Sequence, residues 1–303
     1  MTFRPQKFDE IIGQNAILEP LRISIKSANV RNDALAHLLL NGPGGLGKTT
    51  LAGAIANEMG SKMKVVMGSN IKCFKDILST LVNIQEGEVL FIDEIHRVNK
   101  RIAESLYTVM EDFTIDIPMA GAAKGDDPEI MHIELPKFTM IGATTNAGML
   151  TGPLLTRFKL KFTLELYDLT DLTDLLEKNA VKEKITIDRG GLEAIAKASR
   201  GTPRIANALL EWVRDYGIAK AISSLTEGHV DAALAMREIG KDGSTKTDRL
   251  YLDFLKKRGG GPVGVDSICS GINVDNDTVM STIEPWLIQQ NLIIKTRGGR
   301  QLI

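Results

Sequence analysis

The stretch NGPGGLGKTT at residues 41–50 constrains the fold more than any other part of this chain. It follows an apolar run, LLL at 38–40, and precedes LAGAIAN at 51–57, which has the composition of a helix. A buried strand, a glycine-rich turn and a helix N-terminus form the setting in which backbone N–H groups converge on phosphate oxygens. The stretch matches the pattern G-x-x-x-x-G-K-[ST] without a mismatch. It therefore predicts an α/β fold that binds a nucleoside triphosphate.

Individual residues of this loop have distinct expected roles. Gly45 and Gly47 let the backbone approach phosphate closely and permit positive φ angles. Lys48 is expected to reach the β- and γ-phosphates, and Thr49 offers a hydroxyl to Mg²⁺. The alternative is a plain glycine-rich turn without a ligand, which the strand before it and the helix after it disfavour.

A second apolar run, EVLFIDE at 88–94, ends in two acids. This is the pattern of a buried parallel strand that delivers carboxylates at its C-terminal end, where ligands bind in such sheets. Asp93 is placed to hold Mg²⁺, and Glu94 to orient or deprotonate an attacking water. Alone the pattern is weak, but about 45 residues after a phosphate loop it supplies the other half of one site.

A third run, FTMIGATTN at 138–146, predicts another buried strand that ends in polar residues. We expect its end to lie beside the strand that carries Asp93. Thr145 would then sense the γ-phosphate or the attacking water.

Composition excludes several classes of protein. The 303 residues are too many for one core, so two or three domains are expected. A net charge of −1 argues against a protein that is basic throughout, although not against a local basic surface. Cys73 and Cys269 have no metal-ligand spacing and are expected to be free thiols. No apolar run approaches about 18 residues and the start lacks a signal peptide, so we predict a cytoplasmic protein without a membrane segment.

The order of strand and helix patterns predicts three domains. Residues 1–168 form a large α/β domain with a parallel sheet and an inserted hairpin at 114–135, which serves a partner or is a decorative edge. Residues 169–242 are expected to form a small helical domain. Residues 240–246 are polar and predict a linker. Residues 243–303 have the helix and ribbon order of a winged helix.

Three basic residues, Lys295, Arg297 and Arg300, lie on the predicted wing. They suit phosphate contact along duplex DNA, and contact with a protein is the alternative. Arg204, in the first turn of a predicted helix, is either a surface arginine or a charge beside the nucleotide. Ile12 could line an adenine pocket, although a core position is favoured by the sequence.

Seven segments resemble the RuvB family, the AAA+ motors of Holliday-junction branch migration. They cover nearly the whole chain, which resembles a divergent and shortened member. The segments are GPGGLGKTT at 42–50, FIDEIHR at 91–97, MEDF at 110–113, GATT at 142–145, RGTPRIAN at 200–207, GGPVG at 260–264 and EPWLIQQ at 284–290. The last three of these segments are the most specific to the family.

The resemblance implies an ATPase that uses ATP and Mg²⁺, assembles as a ring of identical subunits, expected to be a hexamer, and drives branch migration in recombination and repair. Thr145 corresponds to the first sensor, Arg204 to the second, and Arg157 to an arginine finger that acts on the neighbouring subunit. Together with Lys48, Asp93 and Glu94 they are the predicted catalytic residues. The predicted nucleotide-binding residues are Phe3, Arg4, Ile12, Gly45, Gly47, Lys48, Thr49, Thr50, Glu111, Asp112, Phe113, Tyr167 and Arg204.

The resemblance also implies partners. The 114–135 hairpin corresponds to the insertion that docks on a RuvA-like junction-binding protein, and Lys295 and Arg300 to wing positions that contact double-stranded DNA. Several family positions differ here: the Pro-Pro of the loop is Pro43-Gly44, Asn276 replaces a basic residue, and the hairpin tip carries Asp126 and Asp127. These departures fall mainly on DNA and partner surfaces. An AAA+ loader or initiator that binds DNA without translocating is the alternative function.

Overall fold

The structure is a computed structural model that describes residues 4–118 and 130–303. Phe3 and the predicted hairpin tip at 121–127 lie outside the described residues. The chain divides into two compact units, Met1–Tyr167 and Asp168–Ile303. In the part that is described, no helix is long and apolar enough to cross a membrane. Cys73 and Cys269 are free thiols, as predicted.

A five-stranded parallel sheet forms the centre of the first unit, in the order β2-β3-β6-β1-β7. The three central strands are apolar on both faces because helices cover both faces of the sheet. Two further strands pair antiparallel as the separate inserted hairpin. The strands are β1 Leu38–Asn41, β2 Met63–Met67, β3 Val89–Asp93, β4 Thr114–Pro118, β5 Ile130–Glu134, β6 Thr139–Thr144 and β7 Leu160–Thr163.

The α-helices among the described residues of this unit enclose the sheet. Two of them, α1 and α2, pack on one face through residues such as Leu21 and Ile55. The other three pack on the second face through residues such as Ile77 and Leu106. The helices are α1 Asn15–Arg31, α2 Lys48–Glu58, α3 Lys75–Val82, α4 Lys100–Asp112 and α5 Gly152–Arg157.

Strand pairing and backbone conformation set two boundaries in this unit. β7 begins at Leu160, which pairs in register with Leu38 of β1. α1 ends at Arg31, because Asn32 adopts a left-handed conformation with φ 51°.

The second unit is helical and ends in a two-stranded ribbon. Its helices are α6 Leu169–Lys182, α7 Arg189–Ala198, α8 Pro203–Ala219, α9 Glu227–Ala235, α10 Lys246–Lys257, α11 Val265–Ile272, α12 Asn276–Thr278 and α13 Glu284–Gln289, and its strands are β8 Ile293–Thr296 and β9 Gly299–Leu302. The Asp168 carboxylate caps α6 by accepting from the N–H of Asp171.

The last helical segment of the winged helix, Asn276 to Gln289, is interrupted. A π-helical stretch, Val279–Ile283, separates α12 from α13. Pro285 in the first turn of α13 has no N–H to donate, so the regular i to i−4 ladder cannot run through this point.

The predicted linker at 240–246 is also wrong, because this segment is a packed turn. The N–H of Gly240 donates to the carbonyl of Ser244 at 2.7 Å, and Ser244 is buried. Its short polar residues bond to one another and to Arg200, so the polarity that suggested a flexible linker satisfies internal hydrogen bonds instead.

His37 is a buried hydrogen-bonded residue at the start of β1. Its Nδ1 accepts from the N–H of Met140 at 2.8 Å, and Nε2 donates to the carbonyl of Met110 at 3.0 Å. Burial lowers the pKa of His37 from 6.5 to about 4, and the positive charge of Lys159 acts in the same direction. The folded protein therefore keeps this imidazole neutral.

We predict that His37 makes the fold sensitive to acid. Because the unfolded chain takes up this proton first, the free energy of unfolding should fall between pH 6.5 and about 4. The contribution of this residue is at most about 3 kcal/mol. In His37→Gln, whose amide can donate and accept in the same directions, chemical denaturation should show a shallower fall. His132→Asn removes an exposed imidazole and is the control; an unchanged slope in His37→Gln would contradict the assignment.

Candidate nucleotide site

Three segments meet at the carboxyl edge of the parallel sheet. The glycine-rich loop follows β1, Asp93 ends β3, and Thr145 follows β6. β6 lies beside β3, which carries Asp93, as predicted, and its other neighbour is β1; Asn41 pairs with Thr144 and Ile92 with Gly142. The sheet therefore brings the loop, the acid and the hydroxyl to one place.

The backbone of the loop adopts the conformation that its glycines allow. Gly45 and Gly47 have φ of +85° and +94°, in the left-handed region that disfavours side chains. At Gly42 a Cβ would lie 2.7 Å from the carbonyl oxygen of Leu164. The loop thus needs glycine at these positions both for its turns and for its contact with the chain after β7.

Lys48 begins α2 and turns back over the loop. Its side chain is buried, and Nζ donates to the carbonyls of Gly42 at 2.6 Å and Pro43 at 2.8 Å. The ammonium is therefore held above the loop at the N-terminus of a helix, where the helix dipole also attracts anions.

Thr49 and Asp93 form the half of the site that suits a cation. The Thr49 hydroxyl donates to Oδ2 of Asp93 at 3.2 Å. Over residues 4–118 and 130–303, no group of three or more His, Cys, Asp or Glu side chains is arranged to hold a metal. A hydroxyl and one carboxylate fit Mg²⁺, which prefers oxygen ligands and takes its remaining ligands from phosphate and water.

Glu94 is positioned by an unusual backbone conformation. Its φ of 50° lies in the left-handed region, and its N–H donates to Oδ1 of Asp93 at 3.0 Å. The Glu94 carboxylate lies 2.9 Å from Nε of Arg97. This partner neutralises the carboxylate and keeps it near the end of β3.

The sequence did not reveal the role of His96. Nδ1 of His96 lies 2.9 Å from the hydroxyl of Thr144, which also accepts from the N–H of Asn146. Burial lowers the pKa of His96, with the positive charges of Arg97 and Lys48 acting in the same direction. The signal in the sequence was a hydroxyl residue, Thr144, at the end of β6 and a histidine, His96, just after the neighbouring strand β3. Thr145, the predicted sensor, follows Thr144 and is exposed.

The predicted adenine-side residues lie in two segments that contact each other. The Gln14 side chain donates to the carbonyl of Glu165 at 2.7 Å, which joins the segment of Ile12 to that of Tyr167. Both Ile12 and Tyr167 are half-buried, and Arg4 is exposed.

Arg157 lies at the opposite, amino edge of the sheet. It ends α5 shortly before β7, whose four residues span about 13 Å to the carboxyl edge. Its Nε lies 2.6 Å from a carboxylate oxygen of Glu111, although the N–H is not aimed along this contact. Its guanidinium also lies 4.2 Å above the ring of Tyr107, whose hydroxyl it contacts.

The segment of Glu111, Asp112 and Phe113 lies near the same amino edge. The Phe113 ring packs at 5.8 Å from the His37 ring and 5.7 Å from the Phe138 ring. His37 and Phe138 precede β1 and β6, so these residues and Arg157 are not brought to the phosphate loop of their own chain.

The remaining predicted site residues lie in the second unit. Arg204 occupies the first turn of α8, as predicted, and is exposed. On the wing, Arg297 is exposed, but Lys295 and Arg300 both bind Glu284, at 2.7 and 2.8 Å. Glu284 is fully buried and also accepts from the hydroxyl of Tyr251 at 3.1 Å. The Arg300 side chain, only 15% exposed, is therefore held inward rather than free to meet phosphate.

Three family models match successive parts of the chain. The Holliday junction DNA helicase RuvB P-loop domain matches residues 3–164, the RuvB AAA lid domain 167–240, and the RuvB C-terminal winged helix domain 241–303.

Similar proteins share both sequence and structure with the chain. The Holliday junction branch migration complex subunit RuvB of Rhodopirellula baltica is 44% identical over 301 residues, which are 99% of this chain and 81% of that protein. The subunit of the same name from Streptococcus thermophilus is 43% identical over 300 residues, 99% of this chain and 89% of that protein. A structure of the Thermotoga maritima RuvB Holliday junction branch migration motor has a TM-score of 0.86 and 34% identity, covering 99% of this chain and 95% of that chain.

We predict that Asp93→Asn removes most of the Mg²⁺-dependent part of nucleotide binding. The amide lacks the charge that would hold the cation with Thr49, so the gain in affinity from Mg²⁺ should fall by roughly tenfold, about 1.4 kcal/mol. Titration of a fluorescent ATP analogue with Mg²⁺ and with EDTA measures this gain. Asp33→Asn removes an exposed acid before β1 and is the control. An undiminished gain in Asp93→Asn would place the cation elsewhere.

Proposed function

The chain belongs to the RuvB family, and from that premise we propose that it is an ATP-hydrolysing motor that moves the branch point of Holliday junctions. The observation that carries this proposal is the pairing of Lys48, Thr49, Asp93 and Glu94 at one sheet edge in a chain that also contains a winged helix. We also propose that the protein acts in the cytoplasm, because its proposed substrate is DNA.

Hydrolysis proceeds by in-line attack of water on the γ-phosphorus of ATP. The bond from water oxygen to phosphorus forms as the bond from phosphorus to the bridging oxygen breaks, and ADP leaves. Glu94 orients the water and takes up its proton, while Lys48 stabilises charge on the β- and γ-phosphate oxygens. Thr49 and Asp93 would hold Mg²⁺, and the ion would supply neutralisation of the phosphate charge.

The ion pair with Arg97 engages one carboxylate oxygen of Glu94, and it must open if that oxygen is to orient water. The ion pair between them is partly exposed, with the Arg97 side chain 57% accessible, so little free energy opposes its opening. We assign His96 and Thr144, which bond to each other beside Thr145, to the support of this water-binding region.

The position of Arg157 favours a ring in which each site is completed by a neighbour. Because Arg157 lies about one strand length from its own phosphate loop, it reaches a γ-phosphate only on another subunit. Head-to-tail contacts between identical subunits close into a ring and set the amino edge of one subunit against the carboxyl edge of the next. Glu111, Asp112 and Phe113 share that edge, so their nucleotide contacts also cross the interface. We propose a hexamer.

The second unit supplies the lid and the DNA contact. Arg204, exposed in the first turn of α8, is proposed to reach the nucleotide. The exposed Arg297 is the wing residue best placed for phosphate, whereas Lys295 and Arg300 would first have to leave Glu284. On the inserted hairpin, Ile130 and Met131 are 49% and 43% exposed, and this apolar surface suits docking of a RuvA-like protein.

A loader or initiator would use the same ATP site differently. It would bind and release DNA with the nucleotide cycle but leave the position of a branch point unchanged. The family membership of all three parts of the chain favours the motor.

We predict that Glu94→Gln binds ATP but does not turn it over. The amide keeps the shape of the side chain and cannot accept the proton, so steady-state hydrolysis should fall by at least about 100-fold. Phosphate release and retention of labelled ATP on the protein are measured together. Glu104→Gln, an exposed change on α4, is the control. Hydrolysis at the parental rate would refute the role given to Glu94.

We predict that two inactive variants restore activity when mixed. Arg157→Ala lacks the arginine and Lys48→Ala lacks a working site, so each alone should be inactive. In mixed rings a Lys48→Ala subunit can supply Arg157 to a neighbouring Arg157→Ala subunit, whose Lys48 is intact. With equal amounts of the two variants, about one interface in four has this arrangement. Phosphate release across a series of mixing ratios should therefore pass through a maximum. Absence of activity at every ratio, with rings still formed, would argue against action across the interface.

A further inference from the structure

Arg200 joins three separate segments of the second unit. It lies in the turn between α7 and α8, with a left-handed backbone conformation of φ 55°. Its Nε and Nη2 donate to the carbonyl of Gly243 at 2.8 and 2.6 Å, and Nη2 also binds the Asp248 carboxylate at the start of α10. Its guanidinium lies 4.1 Å from the ring of Trp286 in α13. One side chain therefore connects the helical domain to two helices of the winged helix.

The partners of Arg200 are themselves fixed. Asp248 is 1% exposed and also accepts from the N–H and hydroxyl of Thr245, which caps α10. Trp286 is 6% exposed and packs in the winged-helix core with Tyr251. Because these groups belong to packed helices, a change in the position of Arg200 displaces the helices themselves and is not taken up by flexible surface side chains.

The turn between the two domains is also closely packed. At Gly243, whose φ is +84°, a Cβ would lie 2.8 Å from the carbonyl oxygen of Ala198 at the end of α7. Ser199 is buried and accepts from the N–H of Thr202 at 3.0 Å. The segment that was predicted to be a linker is therefore closely packed at this contact.

Arg200 and Arg204 belong to the same short motif, RGTPR at 200–204. Pro203 begins α8, so only one tight turn separates the arginine that contacts the winged helix from the exposed arginine in the first helical turn. The two arginines are therefore joined by only three residues, Gly201, Thr202 and Pro203.

We propose that Arg200 is a positioning residue that makes the helical domain and the winged helix move as one body, so that the nucleotide state at Arg204 changes the hold of the winged helix on DNA. This inference rests on the proposed function for the nature of its ligands. In this proposal Arg200 contacts neither nucleotide nor DNA. It couples the binding of nucleotide to the binding of DNA.

The chemistry of the site requires arginine rather than any cation. A planar guanidinium can bind a carbonyl and a carboxylate in its plane while its face lies on an indole, and an ammonium cannot do all three. Arg200→Lys therefore keeps the charge opposite Asp248 and so avoids an unpaired buried carboxylate, but loses the stack on Trp286 and the second bond to Gly243.

The test compares the parent with Arg200→Lys, and with Arg189→Lys as the matched control on the exposed face of α7. Four quantities are measured: ATP hydrolysis without DNA, duplex affinity in ATPγS and in ADP, and displacement of a synthetic four-way junction per ATP hydrolysed. For Arg200→Lys we expect hydrolysis without DNA within about twofold of the parent and a loss of roughly tenfold in displacement per ATP. The ratio of the two duplex affinities should shift toward one.

Two outcomes would overturn the proposal. Arg200→Lys could keep both the parental affinity ratio and the parental displacement per ATP. Alternatively, it could lose hydrolysis, duplex binding and displacement in proportion, which is the pattern of a general folding defect. If the parent itself does not displace junctions, the proposed motor function fails, and the affinity ratio alone then decides whether Arg200 couples the two ligands.

Discussion

The alignment of parallel strands at one edge of the sheet is the constraint on which the site depends. β6 lies between β1 and β3, so the loop after β1 and the acid at the end of β3 come close enough for Thr49 to hydrogen-bond Asp93. The N–H of Gly42 donates to the carbonyl of Thr144 at 3.2 Å and extends this alignment into the loop itself. A change of register in any one of these strands would separate the phosphate-binding residues from the carboxylates, whatever the side chains were.

The same sheet supports the proposal that each site is completed by a neighbouring subunit. The loop, Asp93 and Glu94 lie at the carboxyl ends of the strands, whereas Arg157 and Glu111 lie at the amino edge. In this proposal the Arg157 guanidinium stays with a carboxylate of its own chain until a second subunit presents a γ-phosphate. In the second unit, Arg200 fixes the helical domain to the winged helix, so that the parts proposed to bind nucleotide and DNA are mechanically continuous.

The sequence predicted the phosphate loop, the β3 acids, the neighbouring β6 strand and the winged-helix order, because each is encoded by a local pattern of apolar and glycine residues. It did not predict that residues distant in sequence bind charged and polar groups that were expected at the surface. Lys295 and Arg300 appeared to be a basic wing surface, but the buried Glu284 binds both of them. The polar turn at 240–246 was predicted to be a linker, but Arg200 donates to its Gly243 carbonyl and the turn is packed. The contacts of Glu284 with the two wing residues and of Arg200 with Gly243 join residues at least 11 positions apart in sequence, which periodicity and composition do not report.

The central claim is that ATP turnover at this site moves a branch point, and a synthetic four-way junction with labelled arms tests it most directly. The protein is incubated with the junction, with and without a RuvA-type protein, in ATP and Mg²⁺ or in ATPγS, and the separated duplex products are quantified. We expect products to appear with ATP and Mg²⁺, at a rate that follows hydrolysis, and to be absent with ATPγS. ATP hydrolysis that is stimulated by the junction, while its branch point stays where it was in every one of these mixtures, would contradict the account.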